Sequence, residues 1–155
     1  MVRGLQPLRL GSYPTPIRRC DLPDARGGEF WIKDDGATAP LYGGNKVRKL
    51  EYVLAAARAR GARRIVTFGA GGSHHVLATT LYARTIGIET AAILWPQPWS
   101  AHAEEVLRAA LGAGLQALPV GSRAAAPLGL VRIRSRVAVR WPSAPVGLEP
   151  PGGTR

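Results

Sequence analysis

The central part of the chain alternates between short apolar runs and longer amphipathic runs, which glycines separate. The apolar runs predict strands over residues 64–68, 88–95 and 115–120, and the amphipathic runs predict helices over residues 73–86 and 101–111. Strands joined in this order by short connections require right-handed crossovers and a parallel sheet. The predicted fold class is therefore α/β, a three-layer open parallel sheet with helices on both faces.

Changes in composition predict three segments along the chain. Residues 1–44 form an N-terminal loop-rich segment, with one strand over residues 29–33 and a turn over residues 34–36. Residues 45–120 form the α/β domain. Residues 121–155 form a tail that is rich in proline, glycine and arginine, and we expect it to be poorly ordered.

Within this tail, two patterns follow one another. Residues 131–140 alternate branched aliphatic side chains with arginines, which is typical of a half-exposed strand. Residues 141–155 are dominated by proline and glycine, so we expect them to be poorly ordered.

Length and composition limit the classes of protein to which the chain can belong. With 155 residues and a hydrophobic fraction of 46%, it can bury the core of one folded domain. The formal charge is +11, but the basic residues are scattered and form no helix face with aromatic residues, so no nucleic-acid partner is expected. The single cysteine, Cys20, excludes an internal disulfide and fits a reducing compartment. Neither a signal peptide nor a long apolar run is evident, which predicts a cytoplasmic protein without a membrane partner.

Lys46 stands where an amphipathic helix would prefer an apolar residue. Gly43 and Gly44 precede it, and Asn45 is a typical N-cap for a helix that runs to residue 60. On a helical wheel Lys46 shares the arc of four apolar residues, Leu50, Val53, Leu54 and Ala57. An amine that loses hydration there is easier to keep uncharged, and the uncharged form attacks carbonyl groups. The alternative is a solvated lysine whose stem crosses the apolar face.

The two basic residues that follow, Arg48 and Lys49, are predicted to be ordinary surface residues. Arg48 points away from the apolar arc, and Lys49 lies on its flank.

A second glycine-rich stretch, residues 69–73, joins a predicted strand to a predicted helix. Open α/β sheets bind their ligands at this edge, and the start of a helix favours an anion or a polar group. Gly69 and Gly71 match the first two glycines of the dinucleotide-binding pattern, but His74 occupies the third position. A structural turn and a nucleotide-binding loop both remain open at this point.

Three histidines are candidates for chemistry, but they do not form a metal site by sequence pattern. His74 and His75 are adjacent, so on a helix they diverge by about 100° and cannot chelate one ion. His74 shares an arc with apolar residues and is predicted to face inward as a hydrogen-bonded core histidine, with an acid or base role as the alternative. His102 is predicted to be solvated.

Three segments in order resemble one enzyme family. They are Thr-Pro-Ile at residues 15–17, Trp-Ile-Lys-Asp-Asp at residues 31–35, and Gly-Gly-Asn-Lys-Val-Arg-Lys-Leu-Glu at residues 43–51. Over residues 12–120 the chain resembles the pyridoxal-phosphate enzymes typified by 1-aminocyclopropane-1-carboxylate (ACC) deaminase and D-cysteine desulfhydrase, which have the tryptophan synthase β-like fold. The resemblance implies pyridoxal 5′-phosphate as cofactor and a small amino acid, such as D-cysteine or ACC, as substrate. It also implies that Lys46 forms the internal aldimine.

A second family signature, Gln-Ser-Asn-His, has a partial match in Gly72, Ser73, His74 and His75. The resemblance implies that Ser73 meets the substrate carboxylate and acts with Lys46 in catalysis, and that His75 belongs to the substrate site. It also implies cofactor contacts from Lys46, Asn45, Gly72 and His74. His74 replaces the family asparagine that contacts the ring oxygen of the cofactor, so the resemblance implies a changed ring environment and a changed choice of substrate.

Members of this family are much longer, and the glycine-rich phosphate loop of their second half has no match here. Pro-Gly-Gly-Thr at residues 151–154 is weakly similar to a segment further along in them. The expectation is a truncated or internally deleted chain, inactive or weakly active alone, and a homodimer if full length. Two other hypotheses remain: a non-catalytic remnant, and a nucleotide-binding α/β domain that uses residues 69–73.

Overall fold

The computed structural model describes residues 6–20, 28–127 and 129–130, and it divides the chain into two compact units. The first unit is Met1–Ala59 and the second is Arg60–Arg155. The strand expected over residues 131–140 and the poor order expected over residues 141–155 both lie outside the described residues.

An antiparallel ribbon opens the first unit. Strand β1 (Ile17–Cys20) pairs with strand β2 (Phe30–Lys33), so that Ile17 lies opposite Lys33 and Cys20 opposite Phe30. The strand predicted over residues 29–33 is confirmed as β2. Strand β1 was predicted as loop, because its two central arginines and the surrounding prolines hide any alternation of apolar and polar residues. Its order comes from pairing with β2, which a local pattern cannot reveal.

Two helical elements follow the ribbon. A 3₁₀ helix, Asp35–Thr38, begins where a turn was predicted, and the Asp34 side chain caps it by accepting a hydrogen bond from the Gly36 N–H at 3.0 Å. Helix α1 (Lys46–Ala59) confirms the predicted helix and ends one residue earlier.

The buried face of α1 differs from the predicted arc. It consists of Val47, Leu50, Glu51, Leu54 and Ala55. Val53, which was expected inside, is 54% exposed. Glu51 is the reason for the rotation, since its carboxylate accepts hydrogen bonds from the backbone N–H groups of Leu10 and Gly11, both at 3.1 Å. A buried carboxylate with two charge-assisted partners is stable on a face where sequence pattern alone would place an apolar residue.

The second unit is built on a parallel sheet in the order β3-β4-β5. Its strands are β3 (Arg64–Ala70), β4 (Glu89–Trp95) and β5 (Gln116–Pro119), with Phe68, Ile93 and Leu118 in register. Helices α2 (His74–Thr85) and α3 (Ala101–Gly112) connect them. The predicted α/β fold with a parallel sheet is confirmed.

Both faces of this sheet are in contact with other parts of the unit. A Cβ built on Gly69 would lie 3.0 Å from a methyl group of Val76, which places α2 on the face of Gly69. A Cβ built on Gly129 would lie 2.9 Å from Ile93, which points to the opposite face, because alternate residues of a strand alternate between faces. The central strand β4 is therefore buried from Thr90 to Leu94 and apolar from Ala91 onward, as strands covered on both faces are.

The core of the second unit is formed by α2, α3 and side chains from both faces of the sheet. Each fully buried aliphatic side chain there stabilises the fold by roughly 1.5–3 kcal/mol. Its largest members are Val76, Leu77, Tyr82, Ile93, Leu94, Val106, Leu107 and Leu118. Among the described helices, none has both the length and the apolar character that a membrane span requires.

Candidate functional site

Lys46 is the first residue of α1 and is half-buried, and Asn45 before it is exposed. Two glycines shape the turn that leads to it. Gly44 has a φ of 109°, which side chains rarely tolerate, and a Cβ on Gly43 would overlap the carbonyl oxygen of Gly36. The Gly44 carbonyl accepts a hydrogen bond from the Val47 N–H at 3.3 Å, which starts the helix. The backbone of the 3₁₀ helix therefore fixes where α1 begins.

Asp35 lies at the centre of a polar cluster beside this turn. Its carboxylate Oδ1 accepts from Arg48 Nη2 at 3.1 Å, from Lys33 Nζ at 3.3 Å and from Thr15 Oγ1 at 3.3 Å. Lys33 Nζ also donates to Thr15 Oγ1. The hydrogen bond from Arg48, followed by that from Lys33, holds the pKa of Asp35 below its usual value. We call Thr15, Lys33, Asp35 and Arg48 the Asp35 cluster.

Arg48, which was predicted to be ordinary, takes part in the Asp35 cluster. Its side chain is half-buried, its guanidinium lies 4.3 Å from the centre of the Tyr13 ring, and it bonds to Asp35. A helical wheel cannot reveal this role, because the partners of Arg48 come from residues 13 to 35 along the chain. The available signal was the Asp34–Asp35 pair, which the sequence pattern assigned to a simple turn.

In the second unit, hydrogen bonds from backbone N–H groups hold the glycine-rich loop in place. The Gly71 N–H donates to the Trp95 carbonyl at 3.1 Å, and the Ser73 N–H donates to the Ala70 carbonyl at 3.1 Å. Ser73 is the N-cap of α2, and its hydroxyl accepts from the Val76 N–H at 3.4 Å. A Cβ on Gly72 would lie 2.6 Å from Ala103 Cα, so this glycine allows the loop to pack against the start of α3.

The prediction that His74 faces inward is wrong. His74 is exposed, and its Nε2 lies 2.8 Å from Nε2 of His102, which is also exposed. His102 in turn has its Nδ1 3.8 Å from a carboxylate oxygen of Glu105. His74 sits at the first position of α2, ahead of the buried residues that begin at Val76, so the apolar arc does not extend back to it. The tertiary contact between α2 and α3 brings these histidines together.

The residues singled out in the sequence fall into two groups. Asn45 and Lys46 lie in the first unit, while Gly72, Ser73, His74 and His75 lie together in the second, at the start of α2. His75 is half-buried, and its carbonyl accepts from Thr79 Oγ1 at 2.7 Å. Within the described ranges, no three His, Cys, Asp or Glu side chains are grouped closely enough to hold a metal ion.

Comparison with known families gives a match over most of the chain. The family model described as pyridoxal-phosphate dependent enzyme matches residues 8–126. Nocardicin C-9′ epimerase of Nocardia uniformis subsp. tsuyamanensis is 40% identical over 112 residues, which are 72% of this chain and 34% of that protein. D-cysteine desulfhydrase of Salmonella paratyphi B is 41% identical over 88 residues, which are 56% of this chain and 27% of that protein.

Solved structures agree with the sequence relatives. The crystal structure of an ACC deaminase homologue superposes with a TM-score of 0.68 at 27% identity and covers 84% of this chain and 40% of that one. A hydrogen sulfide-producing enzyme from Fusobacterium nucleatum, at 16% identity and a TM-score of 0.59, has the same fold over 83% of this chain and 40% of its own. The chain spans about a third of the length of the curated relatives that it matches.

Proposed function

Because this chain belongs to the family of pyridoxal-phosphate dependent enzymes, we propose that it is part of a lyase or deaminase acting on a small amino acid. The cofactor is pyridoxal 5′-phosphate, which the family uses. We propose D-cysteine or ACC as the class of substrate and Lys46 as the residue that carries the cofactor. The observation that carries this proposal is that Lys46 is a half-buried residue on the first turn of α1, directly after the turn that Gly43 and Gly44 shape.

The donor groups present are chemically suited to this cofactor. A primary amine can bond to its aldehyde, and Lys46 is one of three lysines in the chain. The start of a 12-residue helix favours a negatively charged or polar group, and α2 begins with the hydroxyl of Ser73 and two imidazoles. Asn45, Lys46, Gly72 and His74 would hold the cofactor, and Ser73 and His75 would hold the substrate.

The proposed roles follow from these groups. When bound, the cofactor withdraws electrons from the carbon that bears the substrate's amino group. Lys46 Nζ would hold the cofactor before substrate arrives. As a free amine it would then take the proton from the amino-bearing carbon of D-cysteine, or from a neighbouring ring carbon of ACC, whose amino-bearing carbon has no hydrogen. Ser73 Oγ donates a hydrogen bond to the substrate carboxylate, which fixes the orientation of the reacting carbon.

An epimerase is a second candidate, which the 40% identity to nocardicin C-9′ epimerase favours. Epimerisation needs the proton to leave and return at one carbon without loss of any other group. Incubation of D-cysteine with the protein in D₂O separates the two, since a desulfhydrase releases sulfide whereas an epimerase exchanges the Cα hydrogen and retains sulfur.

The proposal can be tested by treating the protein with pyridoxal phosphate, reducing it with borohydride and mapping the labelled peptides. We expect borohydride to fix the pyridoxal phosphate label on Lys46 in preference to Lys33 and Lys49. The Lys46→Ala variant should lack this preferred label. Even labelling of the three lysines would contradict the cofactor role of Lys46.

The two remaining hypotheses give different results in related assays. A non-catalytic remnant binds or associates without releasing ammonia or sulfide from ACC or D-cysteine. A nucleotide-binding domain is stabilised by nucleotide in thermal unfolding, and that stabilisation persists in Lys46→Ala.

A further inference from the structure

Asp35 contacts the chain on the N-terminal side of Lys46 through its backbone. The Asp35 carbonyl accepts a hydrogen bond from the Gly44 N–H at 2.7 Å, two residues before the lysine. The same carbonyl accepts from Thr38 Oγ1, which is fully buried. The position of Gly44, and with it the start of α1, is thereby tied to the 3₁₀ helix.

Asp35 contacts the chain on the C-terminal side of Lys46 through its side chain. Arg48, two residues after the lysine, donates from Nη2 to Asp35 Oδ1 at 3.1 Å. The ring of Tyr13 lies 4.3 Å from the guanidinium carbon and limits its movement. One residue therefore holds both flanks of Lys46, before and after it in the chain.

Asp35 also engages a competing amine. Lys33 Nζ lies 3.3 Å from Asp35 Oδ1 and donates to Thr15 Oγ1. Of the three lysines in the sequence, Lys33 is thus bound within the Asp35 cluster, while Lys49 is exposed on α1. An amine held in an ion pair is less available to an aldehyde than a free amine.

We propose that Asp35 is a positioning residue for Lys46, which orients the turn carrying this amine and withdraws Lys33 from competition. The inference rests on the proposed function, since it takes Lys46 to be the reacting amine. Asp35 does not itself take part in the chemistry.

The test compares the distribution of label among the three lysines in matched variants of the 155-residue chain. Each protein is treated with pyridoxal phosphate and borohydride, and its peptides are quantified. In Asp35→Asn we expect the ratio of label on Lys46 to label on Lys33 to fall about threefold, the size of effect typical of partly exposed ion pairs. Asp35→Glu, which keeps the charge, restores most of the ratio.

Asp34→Asn is the control, because it makes the same chemical change one residue away. An asparagine there can still accept the hydrogen bond from the Gly36 N–H, so the ratio stays at the wild-type value. Circular dichroism verifies that each variant is folded. If Asp35→Asn does not fold, Arg48→Gln removes the Arg48–Asp35 pair but keeps the Lys33–Asp35 pair, so it tests the orientation of the turn through a fall in label on Lys46.

The outcomes separate this inference from the proposed function. An unchanged ratio in Asp35→Asn or in Arg48→Gln, with Lys46 still preferred, overturns the positioning role and leaves the cofactor role intact. A uniform rise in label at all three lysines of a folded variant also overturns the positioning role, because the substitution then does not act on Lys33 in particular. A wild-type chain without preference for Lys46 contradicts the proposed function itself.

Discussion

Two turns that contain glycines lead into helices in this molecule, and different forces hold them. The turn before α1 is held by the close approach of Gly43 to the Gly36 backbone and by the Asp35 cluster, whose side chains are mostly half-exposed and charged. The loop before α2 depends on backbone hydrogen bonds and on the fit of Gly72 against Ala103. Charged contacts near solvent respond to pH and to salt, whereas close packing responds to volume. Both turns should therefore be sensitive to added volume, but only the turn before α1 should also respond to pH and to salt.

This difference also bears on the two groups of candidate residues. Lys46 follows a turn whose geometry can be changed by altering charge at some distance in sequence. Ser73 and His75 follow a loop whose geometry is set by the packing of α2 and α3. Measurements on single glycines and single charges can therefore establish which mechanism governs each turn.

The largest effect is expected for Gly43→Ala. The added methyl group would overlap the Gly36 carbonyl oxygen, and backbone cannot move as easily as a side chain. We expect the free energy of unfolding in urea to fall by about 3 kcal/mol, at the upper end of overpacking effects. Gly112→Ala is the matched control, since no described heavy atom lies within 4 Å of a Cβ built there, and it should change stability by no more than about 1 kcal/mol. Equal effects in the two variants would contradict the close approach at Gly43.

A smaller loss is expected for Gly72→Ala. A Cβ there would lie 2.6 Å from Ala103 Cα and 2.9 Å from Gln97 Nε2, and the glutamine side chain can move aside. The expected destabilisation is about 2 kcal/mol, measured by urea unfolding. Since the cause is steric, the loss should be the same in low and high salt. A strong salt dependence would indicate that the two turns are not held by different forces.

The next largest loss of stability is expected for Asp35→Asn, and its size should depend on pH. The pKa of Asp35 is lowered in the folded state, chiefly by Arg48, so its carboxylate stabilises the fold above the unfolded pKa of about 3.9. That contribution is lost as pH falls through the folded pKa. The wild type should therefore unfold at a higher temperature than the variant near neutral pH, and the two unfolding temperatures should converge in acid. A gap that persists in acid would mean that the charge of Asp35 is not responsible.

Added salt gives an independent check on the same variant. Because Asp35 and its partners are partly exposed, salt should screen their attraction and narrow the gap near neutral pH. The destabilisation of Gly72→Ala should not respond to salt, so the two variants together distinguish the two turns.

The smallest effect is expected for His102→Ala. Both His102 and its partner His74 are exposed, and surface substitutions usually change stability by about 0.5 kcal/mol or less. Urea unfolding should show a change within that range. A loss of more than about 1 kcal/mol would show that contact between the histidines supports the packing of α2 on α3.

Local sequence patterns were sufficient for most of the fold. The apolar run of β4 and the glycines that follow α2 and α3 gave the parallel sheet, because each signal lies within the element that it describes. Strand β1 was missed, since its order depends on pairing with residues 10 to 16 positions away. Val53 was misplaced because the buried carboxylate of Glu51 takes up part of the inner face of α1.

For the candidate site, the sequence located the helix that begins at Lys46 and, to within one residue, the start of the helix that follows Ser73. It did not reveal the role of Asp35, which acts partly through a backbone carbonyl that any residue possesses. Nor did it reveal the pairing of His74 with His102, because the two residues are 28 positions apart and meet only when α2 and α3 pack. The roles assigned to the site residues remain predictions that the labelling experiments address.

The contact of Glu51 with Leu10 and Gly11 has a practical consequence for anyone who shortens this protein. A shortened version that starts after Gly11 would leave a carboxylate at 7% exposure without two of its donors. Such an anion is costly to keep from water, so α1 would tend to detach and take its first turn with it. Expression boundaries should therefore be chosen upstream of Leu8, whose N–H reaches the Glu51 carbonyl at 3.1 Å.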